Sequence, residues 1–99
     1  DIVCINFSSP VKADAINTSK LFGEKLSTYA KSEFKDVSLI VYGPFQAPIF
    51  KLQGQYRIRY IIKCKNTRRT RQFLQTMYSD FSGLPEDVLV TIDINPVSL

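Results

Sequence analysis

Residues 56–65 (YRIRYIIKCK) carry two chemistries on alternate positions. Tyr56, Ile58, Tyr60, Ile62 and Cys64 form one set, and Arg57, Arg59, Ile61, Lys63 and Lys65 the other. Successive side chains of an extended chain point to opposite sides, so this alternation predicts a strand with one apolar side and one cationic side. A sheet built around it can be packed on one face only, and the cations on the other face need water or an anionic partner. The charge bias reaches beyond the strand. Residues 37–79 hold eight Lys or Arg and no Asp or Glu, while the remainder of the chain holds five bases against nine acids.

The rest of the chain supplies the partners of that strand. Residues 2–7 (IVCINF) are a short apolar, β-branched run punctuated by Ser8, Ser9 and Pro10, which predicts a first strand. From Lys12 to about Glu33 the period changes: Ala15, Ser19, Phe22, Leu26 and Tyr29 recur at three- and four-residue spacing, an amphipathic helix weakened at Gly23. Residues 37–42 predict a second strand that Gly43 and Pro44 stop. The connector 45–53 contains Pro48 and is expected to make an ordered excursion pinned by Phe45, Ile49, Phe50 and Leu52. After the basic strand, Asn66 and Thr67 offer capping oxygens to a second helix carrying Phe73, Leu74, Met77, Tyr78 and Phe81, ended by Gly83 and Pro85. Val88, Val90, Ile92 and Ile94 then alternate with Leu89, Thr91, Asp93 and Asn95 in a last strand that Pro96 terminates.

The resulting order, β-α-β-β-α-β, is that of an α+β, ferredoxin-like fold: a four-stranded antiparallel sheet with two helices on one face and its first and third strands central. Arg57, Arg59 and Lys63 then stand mid-sheet on the uncovered face. Ile58, Tyr60 and Ile62 are expected in the core with Phe22, Leu26, Phe73, Leu74, Met77, Val90 and Ile92. A chain of 99 residues, 44% hydrophobic, makes a single domain over residues 1–99 that buries roughly 60–70% of its unfolded surface. Its start at Asp1 reads as a cut from a longer protein. No window approaches the ~18 apolar residues of a membrane span, which predicts a cytoplasmic protein with no membrane partner.

Catalysis fits these residues poorly. The chain has no histidine, no phosphate-binding loop, and scattered acids, so the common nucleophilic, metal and phosphoryl-transfer constellations are missing. Small phosphatases of the same architecture place a glycine-rich loop and an arginine after the first strand, where this chain has Ser8, Ser9 and Pro10. Cys4 and Cys64 read as reduced thiols inside strands, since two thiolates alone do not close a zinc site. The IDINP segment reads as a strand end, because one carboxylate and one amide make a poor cation cage. No catalytic residue, metal or cofactor is expected within these residues.

Binding fits better. Lys51, Arg57, Arg59, Lys63 and Lys65 are the candidate nucleic-acid contacts, directed at the backbone and poor in sequence preference. Base stacking of the RNA-recognition-motif kind is disfavoured, because the outward positions of the third strand are Arg57, Arg59 and Ile61 rather than aromatics. Arg68, Arg69 and Arg71 fall in the first turns of the second helix, where the macrodipole already presents positive charge; they are the candidate site for a phosphate or an acidic peptide. Docking onto another protein, or onto the rest of its own parent, would select the same charges.

The second half of the chain also resembles a known family. Gly43-Pro44, Ala47-Pro48, Lys51-Leu52, Gly54 and Tyr56-Arg57, followed by Asp93, Asn95 and Pro96, are similar to the C-terminal domain of the bacterial replication-restart helicase PriA, or primosomal protein N-prime; the first strand and helix match only in character. The resemblance implies that the chain is the C-terminal part of an ATP-dependent 3′ to 5′ DNA helicase with a zinc-binding insertion, which recognises abandoned replication forks and reloads the replisome. None of its ATPase or zinc-binding motifs lies here. The family's last domain is similar in fold to a ribosomal small-subunit protein. The partners so implied are single-stranded or forked DNA, the helicase core of the parent, and the acidic tail of single-stranded-DNA-binding protein. A free-standing ribosomal-type RNA-binding domain is the alternative within the same fold.

Overall fold

The computed structural model describes residues 1–81 and 86–96, and the side chains of residues 47–52 and 81 are outside the description. Its elements are β1 (Ile2–Ser9), α1 (Lys12–Lys31), β2 (Leu39–Leu52), β3 (Gln55–Cys64), α2 (Arg68–Phe81) and β4 (Leu89–Ile94). The strands form one antiparallel sheet in the order β2-β3-β1-β4, so the first and third strands are central. This is the ferredoxin-like α+β fold. No described helix is long and apolar enough to cross a membrane.

One layer of core lies between the sheet and the helices, and the phase of β3 decides which residues enter it. Ile58, Tyr60 and Ile62 are buried there against Phe22 and Leu26 of α1 and Phe73, Leu74 and Met77 of α2. Val90 of β4 is buried with them, whereas Ile92, expected in the same set, is only partly buried and lines an open groove with Leu74 and Tyr78 of α2. The Tyr60 ring packs against Phe22 with centroids 5.3 Å apart and against Phe7 at 6.1 Å, and its hydroxyl donates to the Ser19 carbonyl at 2.7 Å. That hydroxyl explains Gly23. A Cβ there would land on the Tyr60 oxygen, so the residue that weakens α1 by propensity is what lets the tyrosine seat its polar end.

The connector after residue 42 corrects the sequence reading. Gly43 and Pro44 do not stop β2, which continues to Leu52 and pairs with β3 on both sides of two register shifts, one between Tyr42 and Phe45 and one between Gln46 and Lys51. The first shift is a bulge: Tyr42 opposes Ile61 and Phe45 opposes Arg59, leaving two residues on β2, Gly43 and Pro44, against one on β3, Tyr60. Gly43 sits at φ +116, joined to Pro44 by a cis peptide bond, and an added Cβ would meet the Arg59 carbonyl oxygen at 2.8 Å. Both needs exclude a side chain at that position. The excursion is therefore a long hairpin, closed at Gln53 and Gly54, whose φ angles of 52° and 78° match the twist of the flanking strands. Of the residues expected to pin the excursion, Phe45 is exposed rather than buried, because β2 carries it onto the uncovered face opposite Arg59; the side chains of Ile49, Phe50 and Leu52 lie outside the described residues, as do Gly83 and Pro85 at the end of α2.

The ends of the elements follow local chemistry. Thr67 caps α2, its Oγ1 accepting from the Thr70 N–H at 3.1 Å. Asn95 takes up φ 50°, a conformation asparagine tolerates. It ties the end of β4 to the start of β1, accepting from the Ile2 N–H at 2.9 Å and donating to Asp1 Oδ1 at 3.2 Å. The IDINP segment is thus a strand terminator.

Candidate nucleic-acid interface

The face of the sheet away from the helices is built from the odd positions of β3 and their registered neighbours. Arg57 opposes Ser8, Arg59 opposes Asn6 and Phe45, Ile61 opposes Cys4 and Tyr42, and Lys63 opposes Ile2 and Ile40. From β4, Leu89, Thr91 and Asp93 complete it. Lys63 is exposed and Arg57 half-buried, as the alternation requires. Lys65 is exposed just past the end of β3 rather than within it. The side chain of Lys51, registered opposite Tyr56, lies outside the described residues.

Arg59 departs from the expectation. It retains 7% of its exposure, and its Nε is buried with no hydrogen-bond partner among the described residues. The strand phase is right, since Ile62 on the other side is fully buried. What alternation does not reveal is how far neighbouring strands cover a central position, and Arg59 lies on β3 between Asn6 and Phe45. A cation withdrawn from water without an acceptor is costly unless something supplies one.

The face is electrostatically lopsided. Its described acid is Asp93, registered opposite Cys4 on β4 and accepting from the Asn6 amide at 3.4 Å. The β2–β3 half carries the cations, and it also carries exposed apolar side chains: Ile40, Tyr42 and Phe45 are 54%, 48% and 39% exposed. Sequence reasoning missed Phe45 because it ended the second strand at Gly43 and read Phe45 as an anchor of the connector; Tyr42 was placed in the strand but assigned to no face. The signal was present in Phe45, an aromatic residue directly after a Gly-Pro pair.

The arginines of α2 divide by role. Arg69, assigned to an external anion, already has an internal one: its Nε donates to Asp36 Oδ2 at 2.9 Å and one Nη donates to the Glu33 carbonyl at 2.6 Å. Its guanidinium lies 4.3 Å from the centre of the Phe34 ring, and the hydrogen bond it donates holds the Asp36 carboxyl below its ordinary range. Arg69 is thus a clip between α2 and the segment after α1, with Asp36 already engaging its guanidinium. Arg71 donates to the Asn66 carbonyl and side-chain oxygens, both at 3.2 Å. Arg68 is exposed. All three line a shallow depression with Gln72, Gln75 and Thr76, but only Arg68 and Arg71 bring charge that Asp36 has not engaged.

A second concavity, about 460 Å³, lies where β3 meets the N-terminus of α2 and is lined by Lys63, Lys65 and Arg69 together with Asp1 and Asp36. Its charges are mixed. Among the described residues no group of three or more His, Cys, Asp or Glu could hold a metal ion.

The family model for the primosomal protein N C-terminal domain matches residues 1–97, which takes in the first strand and helix as well as the proline-punctuated hairpin. Among solved structures, the de novo designed protein Foldit4 superposes with a TM-score of 0.58 at 13% identity, over 96% of this chain and 97% of that one. The de novo designed protein Ferredog-Diesel gives 0.49 at 12% identity, over 95% and 85%. At such identities the likeness concerns the fold alone. No curated protein matches the chain significantly.

Proposed function

The chain belongs to the primosomal protein N C-terminal domain family, and from that membership we propose that it is an accessory DNA-holding module of a replication-restart helicase. Arg57, Lys63 and Lys65 meet phosphates along the uncovered sheet face, and Arg68 and Arg71 extend the positive surface around α2. The observation that carries the reading is placement: three members of an acid-free run of eight bases, Arg57, Arg59 and Lys63, lie on a central strand on the side the helices leave uncovered. Phosphate contacts of this kind position a strand without reading its sequence. In this reading ATP hydrolysis and zinc binding belong to other parts of the parent, and this module holds single-stranded or forked DNA beside the helicase core. The acidic tail of single-stranded-DNA-binding protein is the partner proposed for Arg68 and Arg71.

Binding of the chain to single-stranded, duplex and forked DNA at two salt concentrations tests this. Replacing Arg57, Lys63 and Lys65 together by alanine should weaken binding to all sequences alike and reduce the slope of log K against log salt by about 0.7 per lost single-strand phosphate contact. An unchanged affinity and slope would hand those charges to docking on the parent instead.

A further inference from the structure

We propose that the uncovered face takes a single strand of nucleic acid by its bases as well as its phosphates, with Tyr42 and Phe45 of β2 as the stacking platform. The inference rests on the reading of this face as a nucleic-acid surface and adds to it a second mode of recognition, on a different strand.

The bulge creates the platform. Tyr42 and Phe45 are three residues apart, a spacing that in a regular strand sends side chains to opposite faces. Because one extra residue is absorbed between them, they oppose Ile61 and Arg59, two positions apart on β3 and on the same face. Gly43, the residue that makes the bulge possible, therefore also brings the rings onto one surface. Both remain substantially exposed, at 48% and 39%, and the helix layer cannot reach them because it packs on the opposite face. A contiguous exposed patch of large apolar side chains on a small domain marks a contact surface.

The surroundings select the occupant. Lys63 and Arg57 flank the two rings along β3, and the buried Nε of Arg59, without a hydrogen-bond partner among the described residues, lies in the residue paired with Phe45. The described acid of the face, Asp93, is on the far edge strand, with β1 and β3 between it and β2. An alternation of cations and aromatic faces without acids suits an anionic chain that also carries flat rings. Spacing selects the single-stranded form. Two positions along a strand are about 6.6 Å apart, roughly twice the ~3.4 Å rise of stacked bases in a duplex. A duplex keeps its base faces covered, whereas a drawn-out single strand can lay one base on each ring.

The test compares a labelled oligothymidine of about twelve nucleotides with an abasic strand of equal length, which keeps the phosphates and lacks the bases. The chain should bind oligothymidine at least about tenfold more tightly. Tyr42→Ala with Phe45→Ala should close that gap, at about fivefold to a hundredfold per ring, while leaving the abasic affinity and the salt slope as they were. Tyr42→Trp should keep oligothymidine affinity, and since the chain has no other tryptophan, its fluorescence should be quenched by oligothymidine and not by the abasic strand. Equal binding of both strands by the wild-type chain, or full affinity of Tyr42→Leu with Phe45→Leu, would overturn stacking and leave the rings to a protein partner. Those results with a normal salt slope would leave the phosphate reading standing. Salt-independent binding of both strands would instead remove the phosphate reading.

Discussion

Gly23→Ala is the substitution on which propensity and packing disagree most clearly. In a helix interior alanine is favoured over glycine by about 1 kcal/mol, so the helix α1 considered alone gains. In the folded chain the new Cβ meets the Tyr60 hydroxyl. Tyr60 cannot swing aside: it is 2% exposed and its ring is held between Phe7 and Phe22. Overpacking of this kind costs about 1–3 kcal/mol, and pushing the hydroxyl off the Ser19 carbonyl forfeits about 1 kcal/mol more. The net expectation is destabilisation by about 1–3 kcal/mol, or some 4–8 °C in melting temperature per kcal/mol for a domain of this size. Tyr60→Phe separates the contributions. Alone it loses the hydrogen bond, about 1 kcal/mol; with the oxygen gone, Gly23→Ala should become neutral or stabilising, so that the effect of one substitution reverses sign with the other. Urea and thermal unfolding of the four chains, followed by far-ultraviolet circular dichroism, measure the cycle. A Gly23→Ala shift of the same sign and size in both backgrounds would refute the account.

Ile62→Ala removes a fully buried side chain from the centre of the layer and should cost about 2–5 kcal/mol in denaturant unfolding. Arg69→Ala should lower the melting temperature at neutral pH, with a sign set by Asp36. Because the arginine holds that carboxyl below its ordinary value, the stabilisation is present above the unfolded value of about 3.9 and disappears as pH falls through the lower folded one. The gap between wild type and variant should therefore narrow in acid; a gap independent of pH would assign the loss to the Phe34 contact. Asn95→Ala should lower the melting temperature more than Asn95→Gly, since glycine keeps the backbone conformation while alanine loses both it and the ties to Ile2 and Asp1. Magnesium or calcium should leave the melting temperature unchanged, and a specific rise would return the IDINP segment to metal binding.

Local periodicity determined a large share of this protein. The alternation around Ile58, Tyr60 and Ile62 fixes which side of β3 enters the core, because neighbouring side chains of an extended chain must point apart. The three- and four-residue stripes of α1 and α2 and the capping oxygen of Thr67 are equally local, so the element order and the ferredoxin-like arrangement could be read before any contact was known. The family string lies in the same local features, Gly43-Pro44 above all.

What remained needed partners distant in sequence. Gly-Pro reads as a stop until β3 lies alongside, when the same two residues become a bulge within a longer strand and turn Tyr42 and Phe45 onto one face. Gly23 reads as a flaw until the Tyr60 hydroxyl arrives from another strand. Arg59, Lys63 and Arg69 are alike as cations in a sequence. The tertiary structure alone buries the first between β1 and β2, leaves the second in water and gives the third to Asp36, because a charge is committed by what the fold brings within hydrogen-bonding distance.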